Sequence, residues 1–365
     1  MSGETYSHSE TGNRRSFLKQ APAITAGLLY GSLYRPQPAS SFLFGSEKSR
    51  VTLVPGTDQR EATYQSLKPF EDEIIKAIGD KQVMIKVNAG VTYEHARNCS
   101  TDINQIRGIL DFLTPVYDRQ IIIAEGIASP ALSAFVSFEN YDYLLLEKEY
   151  NVKFIDLNDQ PTEKKWIREG IHRPRPINII TTLFDPNVYL ISATRLKPHN
   201  AVLVTLSLKN VVMASPVCHY KWKKEAGRNE KSYMHGGRGQ VVGRELSYNL
   251  FLVASMGVQP DLAVLDGVVG AEGNGPWGAH PIEHGVALAS TDWLAADRLA
   301  IELMGVDYKE IKYLNWCGKA GMGQDDLSKI KIIGPDYKKH IKKYELSKTA
   351  DKQRAWVYEN DLYDE

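Results

Sequence analysis

Several apolar segments of this chain end in side chains that can hold charge or move a proton. Lys86 and Asn88 close "VMIKVN" (83–88). Their two-residue spacing puts both on one face of an extended chain and Ile85 and Val87 on the other. Glu125 closes "RQIIIAEG" (119–126), and Asp156 and Asp159, which read as solvated or turn-capping residues or as site members, close "NVKFIDLND" (151–159). Lys197 ends "NVYLISATRLK" (187–197) with His199 two residues on, and Asp266 lies near the end of "DLAVLDG" (261–267). An ammonium inside an apolar run is costly to bury alone, so Lys86 calls for an ion-pair partner or a ligand. In this reading Lys86 and Lys197 hold an anionic substrate and His199 acts as general acid or base. Asp266 and Glu272 orient the histidine, or join His199 in holding a divalent cation.

Two glycine-bearing stretches accompany these strand ends. "AEGNGPWGAHP" (271–281) carries three glycines and two prolines. It reads as a loop in which Gly273, Asn274 and Gly275 admit substrate close to the main chain. "MHGGRG" (234–239) offers His235 and backbone N–H groups as an anion cradle, or else a hinge. "HPIEHG" (280–285) has two histidines and Glu283, a metal site or a surface loop, and "KWKKEAGRNEK" (221–231) reads as an exposed loop or a cationic lid. G-x-S-x-G, G-x-x-x-x-G-K-[ST] and H-E-x-x-H are all absent.

The elements that must position these groups alternate along the chain. Buried-strand runs at 83–88, 119–126, 151–159, 187–197, 261–267 and 285–291 are interleaved with helix candidates at 102–114, 140–150, 239–257 and 291–305. In the last helix Ser290 or Thr291 is the expected N-cap and Gly305 the left-handed C-terminal residue. Alternation of this kind predicts an α/β fold, its largely parallel or mixed sheet flanked by helices and its site at the carboxyl ends of the strands. The folded body is expected over 46–335. A charged tail, 336–365, is read mostly as a solvated surface helix.

Forty-four basic and 44 acidic residues cancel, so no global field recruits nucleic acid. Three separated cysteines, Cys99, Cys218 and Cys317, give no iron–sulfur pattern. At the amino terminus "NRRSFLKQ" (13–20) precedes the apolar "APAITAGLLYGSLY" (21–34), the pattern of a twin-arginine export signal within a signal-and-linker region over 1–45. The apolar run falls short of the about 20 residues that span a bilayer, so no stable membrane span is expected. The expected setting is periplasmic or otherwise extracytoplasmic, with the Tat machinery as a partner during export.

Taken together, "VMIKVN", "RLKPHNAVLVTLSLKNVV" (195–212), "MHGG", "DLAVLDGVVGAEGNGP" (261–276) and "ALASTDWLAADRLAIELMG" (287–305) resemble the DUF362 family, a domain of unknown function. The resemblance covers about 80–335. It implies family positions at Lys86, Asn88, Glu125, Lys197, His199, Lys209, Asn210 and His235. It places others at Asp266, Glu272, Gly273, Gly275, Pro276, Ser290, Asp292 and Asp297. Many relatives carry a ferredoxin-type domain, a redox feature not expected here. Two functions fit: an enzyme acting on a small anionic or polar organic substrate by acid/base chemistry, or a non-catalytic extracytoplasmic binder of a metal ion or small anion.

Overall fold

Because a parallel strand is covered on both faces, its sequence must be apolar at consecutive positions. Val83, Met84 and Ile85 meet that demand and are fully buried. The computed structural model describes residues 49–358 apart from 91, 93, 130, 171–172, 220–228, 237–240, 242 and 277. The twin-arginine segment and most of the linker lie outside the described residues.

The strands are β1 (Ser49–Pro55), β2 (Gln82–Lys86), β3 (Ile121–Glu125), β4 (Val152–Asp156), β5 (Thr162–Glu169) and β6 (Arg173–Ile180). They continue with β7 (Val188–Arg195), β8 (Lys197–His199), β9 (Leu203–Thr205), β10 (Leu262–Asn274), β11 (Gly278–Ser290) and β12 (Ile330–Ile333). Eight of them form a sheet in the order β12-β1-β11-β10-β7-β2-β3-β4. Every neighbour pair is parallel except the two made by β11. All six expected strands are present, within an α/β architecture.

Helices cover both faces. Helices Glu71–Ile78, Ile103–Leu113 and Ala134–Asn140 pack with Val83, Ile85, Ile191 and Val264. Ser207–Val212, Arg244–Ser255, Trp293–Leu303 and Lys312–Lys319 pack with Met84, Leu190 and Leu265 on the other side. Strand alternation therefore sends Lys86 to the second face and Asp266 to the first.

Several local expectations change. Trp293–Leu303 is capped by Asp292, whose carboxylate accepts from the N–H groups of Leu294 and Ala295, while Ser290 donates to the Arg50 carbonyl. An acidic side chain two residues back from the first N–H it accepts serves a helix start better than the hydroxyls before it. Gly305 is left-handed, at φ +66°, as expected. The 140–150 helix is instead a 3-10 turn, Tyr143–Lys148, entered through left-handed Asp142. The loop at 271–281 is largely the end of a hairpin, β10 pairing with β11 from Ala263 to Asn274.

The tail is not a solvated helix. Among its described residues only Ala350–Arg354 is α-helical, and Tyr344, Trp356 and Val357 are buried. Trp356 packs 6.3 Å from Trp316 between ring centroids. Its apolar residues lack helical spacing, so the chain runs irregularly across the body and inserts them one at a time.

Candidate functional site

Lys86 is the last residue of β2 and is 1% exposed. Its ammonium lies 2.8 Å from Glu125 Oε1, at the end of the adjacent β3, and donates to Asn210 Oδ1 at 3.0 Å. Glu125 also accepts from the backbone N–H groups of Ala89 and Gly126. Asn210, on the helix Ser207–Val212, donates back to the Lys86 carbonyl at 3.1 Å and to Ser192 Oγ at 3.0 Å. Its Oδ1 further accepts from Asn88 at 2.9 Å. Asn88 Oδ1 in turn accepts from Lys197, which also donates to the Cys99 carbonyl. One network thus joins Lys86, Asn88, Glu125, Lys197 and Asn210.

Lys209 lies beside it with far less support. It is 5% exposed, and among the described residues its Nζ donates only to Thr205 Oγ1 at 3.2 Å. Burial, reinforced by the charges of Lys197 and Lys86, pushes its pKa down to about 7. Lys197 is pushed down to about 8, again chiefly by burial. For Lys86 burial outweighs the attraction of Glu125, so its pKa also falls. His199 Nδ1 accepts from the Ala201 N–H at 3.0 Å, which leaves the ring proton on Nε2. Desolvation first, then Lys209, His235 and Lys197, hold the His199 pKa well below the usual histidine value, so the ring is neutral at pH 7.

Lys231 closes the group and was hidden from sequence reading. It ends the charged run 221–231, which reads as exposed, yet it is 4% exposed. Its Nζ donates to the carbonyls of Met213, Ala214 and Pro216. Three buried lysines, Lys86, Lys197 and Lys209, therefore gather beside one buried carboxylate, Glu125, while Lys231 feels both Glu125 and Asp156. Such an imbalance attracts anions.

Asp266 and Glu272 stand apart from this cluster. On the opposite sheet face, Asp266 accepts from Gln59 Nε2 at 2.8 Å and the Val268 N–H at 2.9 Å, with Arg195 Nε 3.7 Å away. Burial raises its pKa to about 6. Arg195 also reaches Asp102, the cap of Ile103–Leu113, so this is a buried cross-element tie. Glu272 faces His280 and accepts from the Glu345 N–H at 2.9 Å. The expected cation set of Asp266, Glu272 and His199 is not brought together. Among the described residues no three His, Cys, Asp or Glu side chains converge as metal ligands. Asp156 caps the 3-10 turn Leu157–Asp159, as a strand-end aspartate is expected to do, accepting from Ser133 Oγ and the N–H groups of Ala134 and Asn158. His284 bonds Tyr344 and the His340 carbonyl, anchoring the tail.

The glycines of the hairpin tip also differ from expectation. What Gly275 admits is the chain's own backbone: a Cβ there would meet the Pro198 carbonyl oxygen at 2.6 Å, while Asn200 N–H donates to the Gly275 carbonyl. Gly273, at φ +88°, donates to the Glu345 carbonyl, and Asn274 accepts from the Lys348 N–H. From the tail, Gln353 donates to the His199 carbonyl at 3.1 Å and accepts from Leu203 N–H. Hairpin tip and tail thus clamp β8, which carries Lys197 and His199. Gly275→Ala should destabilise the fold by about 1–3 kcal/mol through this overlap; a urea-unfolding midpoint equal to that of the unaltered protein would contradict the clamp.

The family model described as a domain of unknown function, DUF362, matches residues 83–302, and this span contains every member of the lysine cluster. The chain belongs to the DUF362 family. One curated relative, the thylakoid-associated protein sll1697 of Synechocystis sp., is 28% identical over 119 residues. That match covers 32% of this chain and 33% of the relative. Within this DUF362 protein, Lys86, Asn88, Glu125, Lys197 and Asn210 interlock, with Lys209 and His199 electrostatically coupled beside them. Gly273, Asn274 and Gly275 serve packing. His235 is exposed and near enough to His199 to depress its pKa.

Proposed function

We propose that this DUF362 protein binds a small organic anion at the buried lysine cluster and transforms it by acid/base chemistry. One observation carries the reading: Lys86, Lys197 and Lys209 are buried beside one buried carboxylate, Glu125, and Lys209 has one hydroxyl partner among the described residues. A fold that keeps an ammonium dry without a counter-charge forgoes stability, and an arriving anion restores the balance. His199, neutral at pH 7 with its proton on Nε2, supplies a hydrogen-bond donor that does not repel the lysines.

The test is calorimetric titration of the full chain with inorganic phosphate and with succinate between pH 6 and 10. Bound anion stabilises protonated lysine, so binding takes up protons near pH 7 to 8. Affinity should fall by up to about tenfold per pH unit for each lysine that loses its proton above that range. The ligand-free protein has the opposite slope. Its lysine pKa values, about 7 and 8, lie below the unfolded value of 10.5, so the unfolded chain binds more protons and stability rises from about pH 7 toward pH 10. Affinity independent of pH would remove the lysines from the site.

We further propose export by the twin-arginine route, on the support of Arg14-Arg15 and the short apolar run behind them. Among the described residues no helix is long and apolar enough to cross a membrane. The thylakoid association named for the Synechocystis relative is compatible with an extracytoplasmic setting. Changing Arg14 and Arg15 together to lysine should trap the protein in the cytoplasmic fraction. Unchanged fractionation would count against export.

A further inference from the structure

We propose that Lys209 is a nucleophilic amine that forms an imine with the carbonyl of a small oxo acid. This rests on the anion-site reading and adds to it a substrate class and a covalent step. The choice among the four lysines follows from their partners. An amine attacks through its lone pair, so it must not be committed to holding acceptors as an ammonium. Lys86 is fixed by Glu125, Asn210 and the Val87 carbonyl. Lys231 is held by three carbonyls, and Lys197 by Asn88 Oδ1 and the Cys99 carbonyl. Among the described residues Lys209 meets only the Thr205 hydroxyl, a group that can donate to a neutral amine as readily as it accepts from an ammonium. Burial beside other cations also favours the neutral amine near pH 7, the general way in which lysine nucleophiles are activated.

The surroundings match an oxo acid. Two of the three N–H bonds of Lys197 are used, by Asn88 and Cys99, which leaves one proton for the substrate oxygen. The positive field of the cluster and the His199 Nε2–H receive the carboxylate. In the step, the Lys209 Nζ lone pair forms a C–N bond to the carbonyl carbon as the C=O π pair moves to oxygen. Lys197 gives that oxygen a proton and regains one from the amine nitrogen. A second transfer of the same kind releases the oxygen as water, breaking the C–O bond and leaving the C=N bond. Both amine protons depart in the water, and no oxidant or reductant is consumed.

Trapping with cyanoborohydride tests this. The full chain is incubated with pyruvate, 2-oxoglutarate or acetoacetate, reduced, and mapped by peptide mass spectrometry. The expected result is a single adduct at Lys209, saturable with one of the oxo acids, suppressed by its hydroxy-acid counterpart and absent in Lys209→Met. Should that variant fail to fold, suppression by the hydroxy acid in the unaltered protein still distinguishes the buried site from surface lysines. Stabilisation by both oxo and hydroxy acids with no adduct at Lys209 would overturn the imine and leave the anion site standing. Adducts spread over exposed lysines, with no stabilisation by either acid, would overturn both.

Discussion

Lys209→Met should make the protein more stable and at the same time unable to bind the anion. Methionine matches the lysine stem in length and brings no charge. Below pH 7 the substitution removes a buried ammonium whose described support is a single hydroxyl at 3.2 Å. Replacing poorly compensated buried charge by apolar side chains is often stabilising, here by roughly 1–4 kcal/mol. The gain should shrink as pH rises above about 7, because the native amine is then already neutral. Urea unfolding at pH 6, 7 and 9, paired with phosphate titration, measures both effects. A group kept at a cost to stability points to function. Loss of stability in the variant would mean that Lys209 is a structural contact and would remove the main support for the site.

Glu125→Gln should have the opposite sign. The carboxylate lies 2.8 Å from Lys86 and accepts the Ala89 and Gly126 N–H groups, so it neutralises the central lysine and ties two strand ends together. Glutamine leaves Lys86 without a counter-charge and turns an NH2 group toward one of those donors. Removing one partner of a buried pair costs about 3–5 kcal/mol. Adding Lys86→Met should recover part of that loss, because the stranded charge goes with it, and the coupling appears in a double-mutant cycle. Equal unfolding midpoints for Glu125→Gln and the unaltered protein would show that the pair does not hold this end of the sheet.

Some of this architecture was legible in the chain before folding. Consecutive apolar residues such as Val83–Ile85 and Ile121–Ile123 signal strands covered on both faces, and their alternation with amphipathic segments implies a mostly parallel sheet. Lys86 was conspicuous because it interrupts an apolar run. Its partner Glu125 was conspicuous because it ends the next one. Asn210 and Lys209 lie on a six-residue helix, Ser-Leu-Lys-Asn-Val-Val, whose residues are all buried; it is too short for periodicity to show that their polar ends turn inward. Lys231 was concealed by its neighbours, a run of charges that normally marks solvent. Asp266 looked like a fifth member of the site because it too ends an apolar run.

Amino-acid order alone determined which segments become strands and which polar groups stand at their ends, since both follow from local apolar periodicity. Only the tertiary structure decided which of those groups meet. A strand's side chains alternate between faces, so one residue of register sends Lys86 to the lysine cluster and Asp266 to Arg195 and Gln59 on the far side of the sheet. Likewise the hairpin glycines face the Pro198 carbonyl and the returning tail, because chain segments distant in sequence compete for the space beside a residue without a Cβ.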